Sequence, residues 1–258
     1  AQVASTHRDH HLCQRGCPFG GYFSSNSSTL PWAERTGNMT MRTNAVVHSI
    51  IYDEQKGKAT GVRVIDAVTK ESTEYFAHII FVNAAALNTN LILLNSTSNR
   101  FPDGLGNDNG LLGKFVAFHN YRARISAIYE GFADSKTEGS RPTSAYVPLF
   151  RNVYQQETDF LRGYAAGFGA YRRFNTNGDG HGAAFKENLG RKTPGVWSVG
   201  SHMMGETIPK ATNYVSLDTS KKDNWDMPLL NISVDYDDND EKMVKDFMEQ
   251  FTDMYTKA

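Results

Sequence analysis

Apolar and polar residues alternate in short runs between Asn38 and Ala77: Met39–Thr43, then Ala45–Tyr52, rich in β-branched residues, then Thr60–Asp66, then Thr73–Ala77. Polar turns separate the last three, at Asp53–Lys58 and around Thr69–Glu71. A period of two belongs to a half-buried strand, and strands joined by turns this short predict an antiparallel meander. Ile79–Val82 breaks the pattern. Four consecutive apolar residues predict a strand buried on both faces. The chain then passes through Asn83-Ala84-Ala85-Ala86 into Leu87, Leu91 and Leu94 at helical spacing. The expectation is strand, small-residue turn, helix. Such a turn lets a phosphate or ribose approach backbone N–H groups. As residues alone, an ordinary βα turn is the favoured reading.

Beyond a Gly/Asn/Asp-rich loop at 99–113 the texture is again β-rich. Tyr121–Tyr129, Ser144–Phe150, Tyr164–Phe174, Val196–Met204, Tyr214–Leu217 and Leu229–Tyr236 predict five or six antiparallel strands with long polar insertions. At the end, Met243, Val244, Phe247, Met248, Phe251, Met254 and Tyr255 trace one helical face. Asp238, Asn239 or Asp240 would cap that helix, and Glu241–Lys245 would add an i,i+4 pair. The acidic run Asp235–Asp240 serves this cap better than a calcium loop, whose sixth position needs glycine and here holds Asp240.

Charge and composition close off several classes. Among 258 residues, 27 Lys and Arg against 28 Asp and Glu give a net charge of −1, so there is no electrostatic case for nucleic acid. No apolar run is long enough to cross a bilayer. A soluble protein of the cytoplasm or periplasm is expected. Cys13 and Cys17 form neither a CxxC pair nor a four-ligand zinc set. With His10 or His11 they would make only an incomplete site, so no metal is predicted and packed loop thiols are the plainer reading. The sequence has no P-loop, GxSxG, HExxH or GxGxxG after a strand. His119, His181 and His202 read as structural or loop histidines, so no catalytic residue is assigned.

Five segments, taken in order, resemble the glucose–methanol–choline (GMC) family of FAD-dependent oxidoreductases. Cys13–Ser25 looks like the family's Gly-Cys loop before a Ser/Thr-rich helix start. Asn38–Val47 and Gly61-Val62-Arg63-Val64 are similar to its strands. Ile80–Thr89 with Leu93-Leu94-Asn95-Ser96 resembles its return strand and helix. Gly104-Leu105-Gly106-Asn107, followed by Leu112-Gly113-Lys114 and His119, completes the set. The bacterial sugar- and polyol-oxidising branch is nearest in flavour. The family's dinucleotide fingerprint would precede these residues and its catalytic His would follow them, so an internal piece is expected. Ala85 stands where many members have glycine.

The period-two strands and the single long helical segment predict an α+β fold, to which the resemblance adds a division. Residues 1–119 would be a partial FAD-binding domain, with the meander, the buried strand and the helix. Residues 120–258 would be a substrate-binding domain, a mostly antiparallel sheet with a packed C-terminal helix. The Val47 backbone would hydrogen-bond the adenine edge of FAD, with Ala45 alongside. Asn83, Ala84 and Ala85 would line the adenosine and pyrophosphate side. Tyr146, Phe168, Tyr171 and His202 would face the substrate. The implied reaction is oxidation of a CH–OH group of a small sugar or polyol, with hydride passing to flavin. The chain alone is expected to retain no FAD, to be inactive, and to self-associate through exposed apolar surface. The alternative is a non-catalytic, β-rich carbohydrate-binding or interaction module.

Overall fold

The computed structural model describes residues 23–135, 144–175, 181–190 and 193–258. Cys13, Cys17 and the Gly-Cys loop lie outside them. The chain divides into two compact units. One holds Met41–Phe118 and Ile208–Tyr236. The other holds His119–Thr207, Asp237–Ala258 and the described residues up to Thr40, including helix α1 (Thr29–Arg35).

In the first unit the meander forms from Ala45 onward, while the alternating run Met39–Thr43 forms no strand. Strands β1 (Ala45–Asp53), β2 (Lys58–Asp66) and β3 (Ser72–Phe76) pair antiparallel in that order. Asp66 shapes the second turn by accepting from the Val68 and Thr69 N–H groups through Oδ1. Helix α2 (Ala85–Asn95) packs on β1. The Ser96 hydroxyl locks the two together, since its Oγ accepts from Ile50 N at 2.7 Å and donates to the Ile92 carbonyl. A separate hairpin, numbered β9 (Tyr214–Lys222) and β10 (Pro228–Ser233) in chain order, completes the unit. Gly113 makes its seam possible. Its φ is +81°, its carbonyl accepts from Val215 N at 2.7 Å, and a Cβ there would lie 2.3 Å from the Val215 oxygen.

Ile79–Val82 is not the buried strand expected. It forms no strand and pairs with none among the described residues, and Ile79 and Phe81 are 71% and 80% exposed. The ladder of β3 ends at Phe76 opposite Gly61. An apolar run supplies side chains for a core but no partners for its own N–H and C=O groups, and without a neighbouring ladder it does not become a strand.

The second unit is an antiparallel sheet of five strands. Long strand β8 (Thr193–Glu206) carries β4 (His119–Asn120) and β5 (Arg124–Tyr129) along one edge, and β7 (Tyr164–Asn175) and then β6 (Ser144–Val147) on the other. Helix α3 (Ala183–Gly190) lies between β7 and β8 in the chain, and helix α4 (Asp238–Lys257) covers one face of the sheet. Tyr164, Ala166 and Met203 of the sheet are fully buried against Met243, Phe247 and Phe251, with Phe160 and Ala123 closing the cluster. Phe247 stacks on Phe251 at 4.3 Å and meets Tyr164 edge-on at 5.6 Å. Each large apolar side chain buried this way contributes about 1.5–3 kcal/mol.

The helix begins one residue earlier than the expected caps. Asp237 is the N-cap, and a reciprocal box joins its side chain to the Asp240 N–H and the Asp240 side chain to the Asp237 N–H. Glu241 pairs with Arg122 instead of Lys245, which reaches Glu249. A bidentate ion pair from Arg151 to Asp246, at 3.0 and 2.8 Å, anchors the middle of the helix. Tyr164 donates to the same carboxylate at 2.6 Å. Burial, reinforced by that negative charge, pushes the Tyr164 phenol well above its usual range.

Among the described residues the strands from His119 onward number seven rather than five or six. The last two leave the large sheet, because Ile208–Tyr236 returns to the first unit and does not stay with the second half. Among the described residues no helix is long and apolar enough to cross a membrane.

Candidate functional site

In the first unit, three of the five expected cofactor-side residues, Val47, Asn83 and Ala84, line one cavity, and Ala45 and Ala85 do not. A cavity of about 530 Å³ is bounded by Val47, Ile50 and Val62 of the sheet, Tyr75–Ala77 at the end of β3, residues 79–84, and Ile92 of α2. Val47, Asn83 and Ala84 therefore share one cavity. Val47 faces Val64 across the ladder, immediately before a bulge that leaves His48 unpaired in register. Burial and the Arg63 cation hold the His48 imidazole below its ordinary range. Ala45 lies farther along β1, opposite Asp66, and does not line the cavity.

The turn into the helix has two unusual properties. Ala84 is the N-cap and supplies no side-chain acceptor, so the first N–H groups of α2 have no side-chain cap. Ala85 follows with φ +60°. An alanine in the left-handed region is strained, and glycine is the residue that relieves it. The Thr89 hydroxyl ties the helix back to the Val82 carbonyl at 3.3 Å. The arrangement combines apolar walls for a flat ring with backbone donors for oxygen atoms.

In the second unit, register decides which expected substrate residues share a face. Tyr146 pairs with Gly167, Gly167 with His202, and His202 with Arg124, so one row crosses four strands. Phe168 and Tyr164 lie on the opposite face, toward α4, and Phe168 packs on Phe251 at 5.4 Å. By alternation Gly167, Gly169 and Tyr171 point away from the helix. The structure thus brings Tyr146, Tyr171 and His202 to the open face, and places Phe168 against the core. Tyr146 is 60% and Tyr171 46% exposed.

The His202 ring occupies the space a Gly167 side chain would need, with Cε1 at 2.5 Å from an ideal Cβ. Tyr121 lies 6.1 Å from that ring, and His119 5.6 Å from Tyr121. Arg124, Gly167 and Tyr121 were not singled out from sequence. The alternate glycines 167 and 169 were the available signal, but only pairing shows what they stand beside. Among the described residues no cluster of three or more His, Cys, Asp or Glu could hold a metal ion.

A family model described as GMC oxidoreductase matches residues 2–117. The 2-methyl-1,2-propanediol dehydrogenase of Mycolicibacterium austroafricanum is 31% identical over 241 residues, which cover 87% of this chain and 41% of that protein. The chain thus spans less than half the length of this relative.

Proposed function

This chain belongs to the GMC oxidoreductase family, and from that premise we propose that it serves FAD-dependent oxidation of CH–OH groups in a small polyol or sugar. The convergence of Val47, Asn83 and Ala84 on one cavity at the start of α2 carries this reading. The donor set suits the adenosine end of FAD. The Val47 strand edge would meet adenine, apolar neighbours would flank it, and the α2 N-terminus with Asn83–Ala85 would meet ribose or phosphate oxygens. When bound, FAD supplies the hydride acceptor. The diol named for the relative makes a 1,2-diol the first substrate to try.

The open sheet face, with Tyr146, Tyr171 and His202, is the substrate wall in this reading. No residue of the chain is assigned as the proton acceptor. The exposed tyrosines on that face also support the second reading, a carbohydrate-binding module without catalysis. Binding of a sugar by natural-length protein that holds no flavin would favour it.

The chain by itself is expected not to retain FAD, because adenosine contacts are only a share of the interface and association carries a large entropic penalty. Its exposed apolar surface, at Phe76, Ile79 and Phe81, is expected to drive self-association. Purification, the flavin absorbance band and an FAD fluorescence-quenching titration check this. A stoichiometric yellow preparation that turns over a polyol with an acceptor dye would refute it.

A further inference from the structure

On the open face of the second unit an arginine stands directly opposite a histidine. Register pairs Arg124 of β5 with His202 of β8, and His202 with Gly167 of β7. The imidazole lies over the bare Gly167 backbone. Its Cε1 and Nε2 are 2.5 and 2.8 Å from where a Cβ would stand, so only glycine lets the ring take this place. Tyr121 flanks the ring at 6.1 Å, and His119 meets Tyr121 at 5.6 Å. Two imidazoles, a phenol and a guanidinium thus gather at the end of the sheet where β4 joins β8.

Other arginines of this unit hold the fold together. Arg122 reaches Glu241, Arg151 reaches Asp246, and Arg172 donates to backbone carbonyls. Arg124 is exposed, and neither a hydrogen bond nor an ion pair ties it to a described residue. Alternation along β8 puts one acid of the strand, Glu206, on the same face. Glu206 stands opposite His119, and the usual rise per residue puts it about 13 Å along the strand from His202, too far to neutralise Arg124. A charge on an edge strand also discourages edge pairing, but that role needs neither an imidazole opposite it nor a glycine beneath the imidazole.

A guanidinium presents a planar fork of N–H donors that fits a carboxylate. The imidazole beside it offers a donor and an acceptor, the complement of a hydroxyl. Neighbouring strands stand about 4.8 Å apart, so one short molecule that carries both groups reaches both side chains. A neutral diol would leave the fork unmatched. Resting on the reading as an alcohol-oxidising flavoenzyme, we propose that Arg124 is a specificity-determining residue and that the substrate class is a hydroxy acid, a polyol or sugar chain that ends in a carboxylate. Arg124 holds the carboxylate, His202 meets a hydroxyl of the chain, and Gly167 keeps the imidazole beside the guanidinium.

The test uses natural-length protein purified with its flavin, and two carbon-matched pairs, glycerate with glycerol and gluconate with glucitol. In wild type the acid of each pair is expected to have the higher kcat/KM. In Arg124→Gln the acid-to-polyol ratio of kcat/KM should fall about 30-fold or more, through KM rather than kcat. In Arg124→Lys, which keeps the charge and loses the fork, it should fall less. Added salt should raise KM for the acids and leave that for the polyols unmoved. Without turnover, gluconate at constant ionic strength should raise the melting temperature of wild type and not that of Arg124→Gln. A ratio unchanged by Arg124→Gln, or a wild type that prefers both polyols, would overturn the proposal with the functional reading intact. Equal losses on acid and polyol with a lowered melting temperature would assign Arg124 to the sheet and overturn it too. A wild type that oxidises neither class, nor other alcohols, would sink the functional reading, and the proposal with it.

Discussion

Two apolar stretches of this chain meet opposite fates. Ile79–Val82 is four apolar residues in a row, and its Ile79 and Phe81 stand in solvent. Tyr164–Ala170 is diluted by alanine and glycine, yet Tyr164 and Ala166 are wholly buried. The difference is the neighbour. Strand β7 has β6 and β8 on its edges and α4 on one face. The 79–82 run has no ladder among the described residues. Hydrophobicity sets what burial is worth, and a partner decides whether it happens.

That contrast can be tested by trimming a phenylalanine on each side. Phe247→Ala, in the covered region, should cost about 3–5 kcal/mol, read as a lower urea midpoint. Phe81→Ser, in the bare region, should move the midpoint by less than about 0.5 kcal/mol while reducing self-association in sedimentation. Similar losses in both would show that 79–82 is covered in solution. A smaller effect should follow from Ala85→Gly. Releasing the left-handed alanine should stabilise the first unit by about 0.5–1 kcal/mol, after allowance for the freer unfolded chain. A destabilised variant would mean that the turn is not left-handed.

The smallest effect is one of pH. The folded His48 imidazole is held below its ordinary range, so the unfolded chain binds the proton first as pH falls. Its contribution to stability is complete above about pH 6.5 and is lost as the pH drops below that value, until the folded imidazole protonates too. His48→Gln should flatten this part of the curve between pH 7.5 and 5.5. An unaltered slope would rule His48 out as its source.

Much of the fold was legible because it rests on local period. The meander, the later strands and the Met243–Tyr255 face all announce themselves within ten or so residues. What stayed hidden is non-local. Nothing in Ile79–Val82 tells whether a neighbour arrives. Nothing in Tyr164–Tyr171 tells which alternate set meets the helix, and so Phe168 was grouped with Tyr146 and Tyr171 although it packs on Phe251. The cap moved to Asp237 because four acidic residues compete for it, and only geometry selects one. At the turn into α2, the choice of Val47 and Asn83–Ala85 rests on family resemblance alone. The left-handed Ala85 is a position that glycine would occupy without strain.

The return of Ile208–Tyr236 to the first unit has a consequence during synthesis. A ribosome that has finished the β1–β3 meander and α2 must still add more than a hundred residues before β10 emerges. At about 5–20 residues per second, that leaves the nascent unit waiting on the order of ten seconds for its last hairpin. Throughout that interval the Val215 amide is missing from the Gly113 carbonyl and the Met227 sulfur from Asn95. The order of translation thus runs against the order of assembly, and a chaperone that shields the meander would be of most use in that interval.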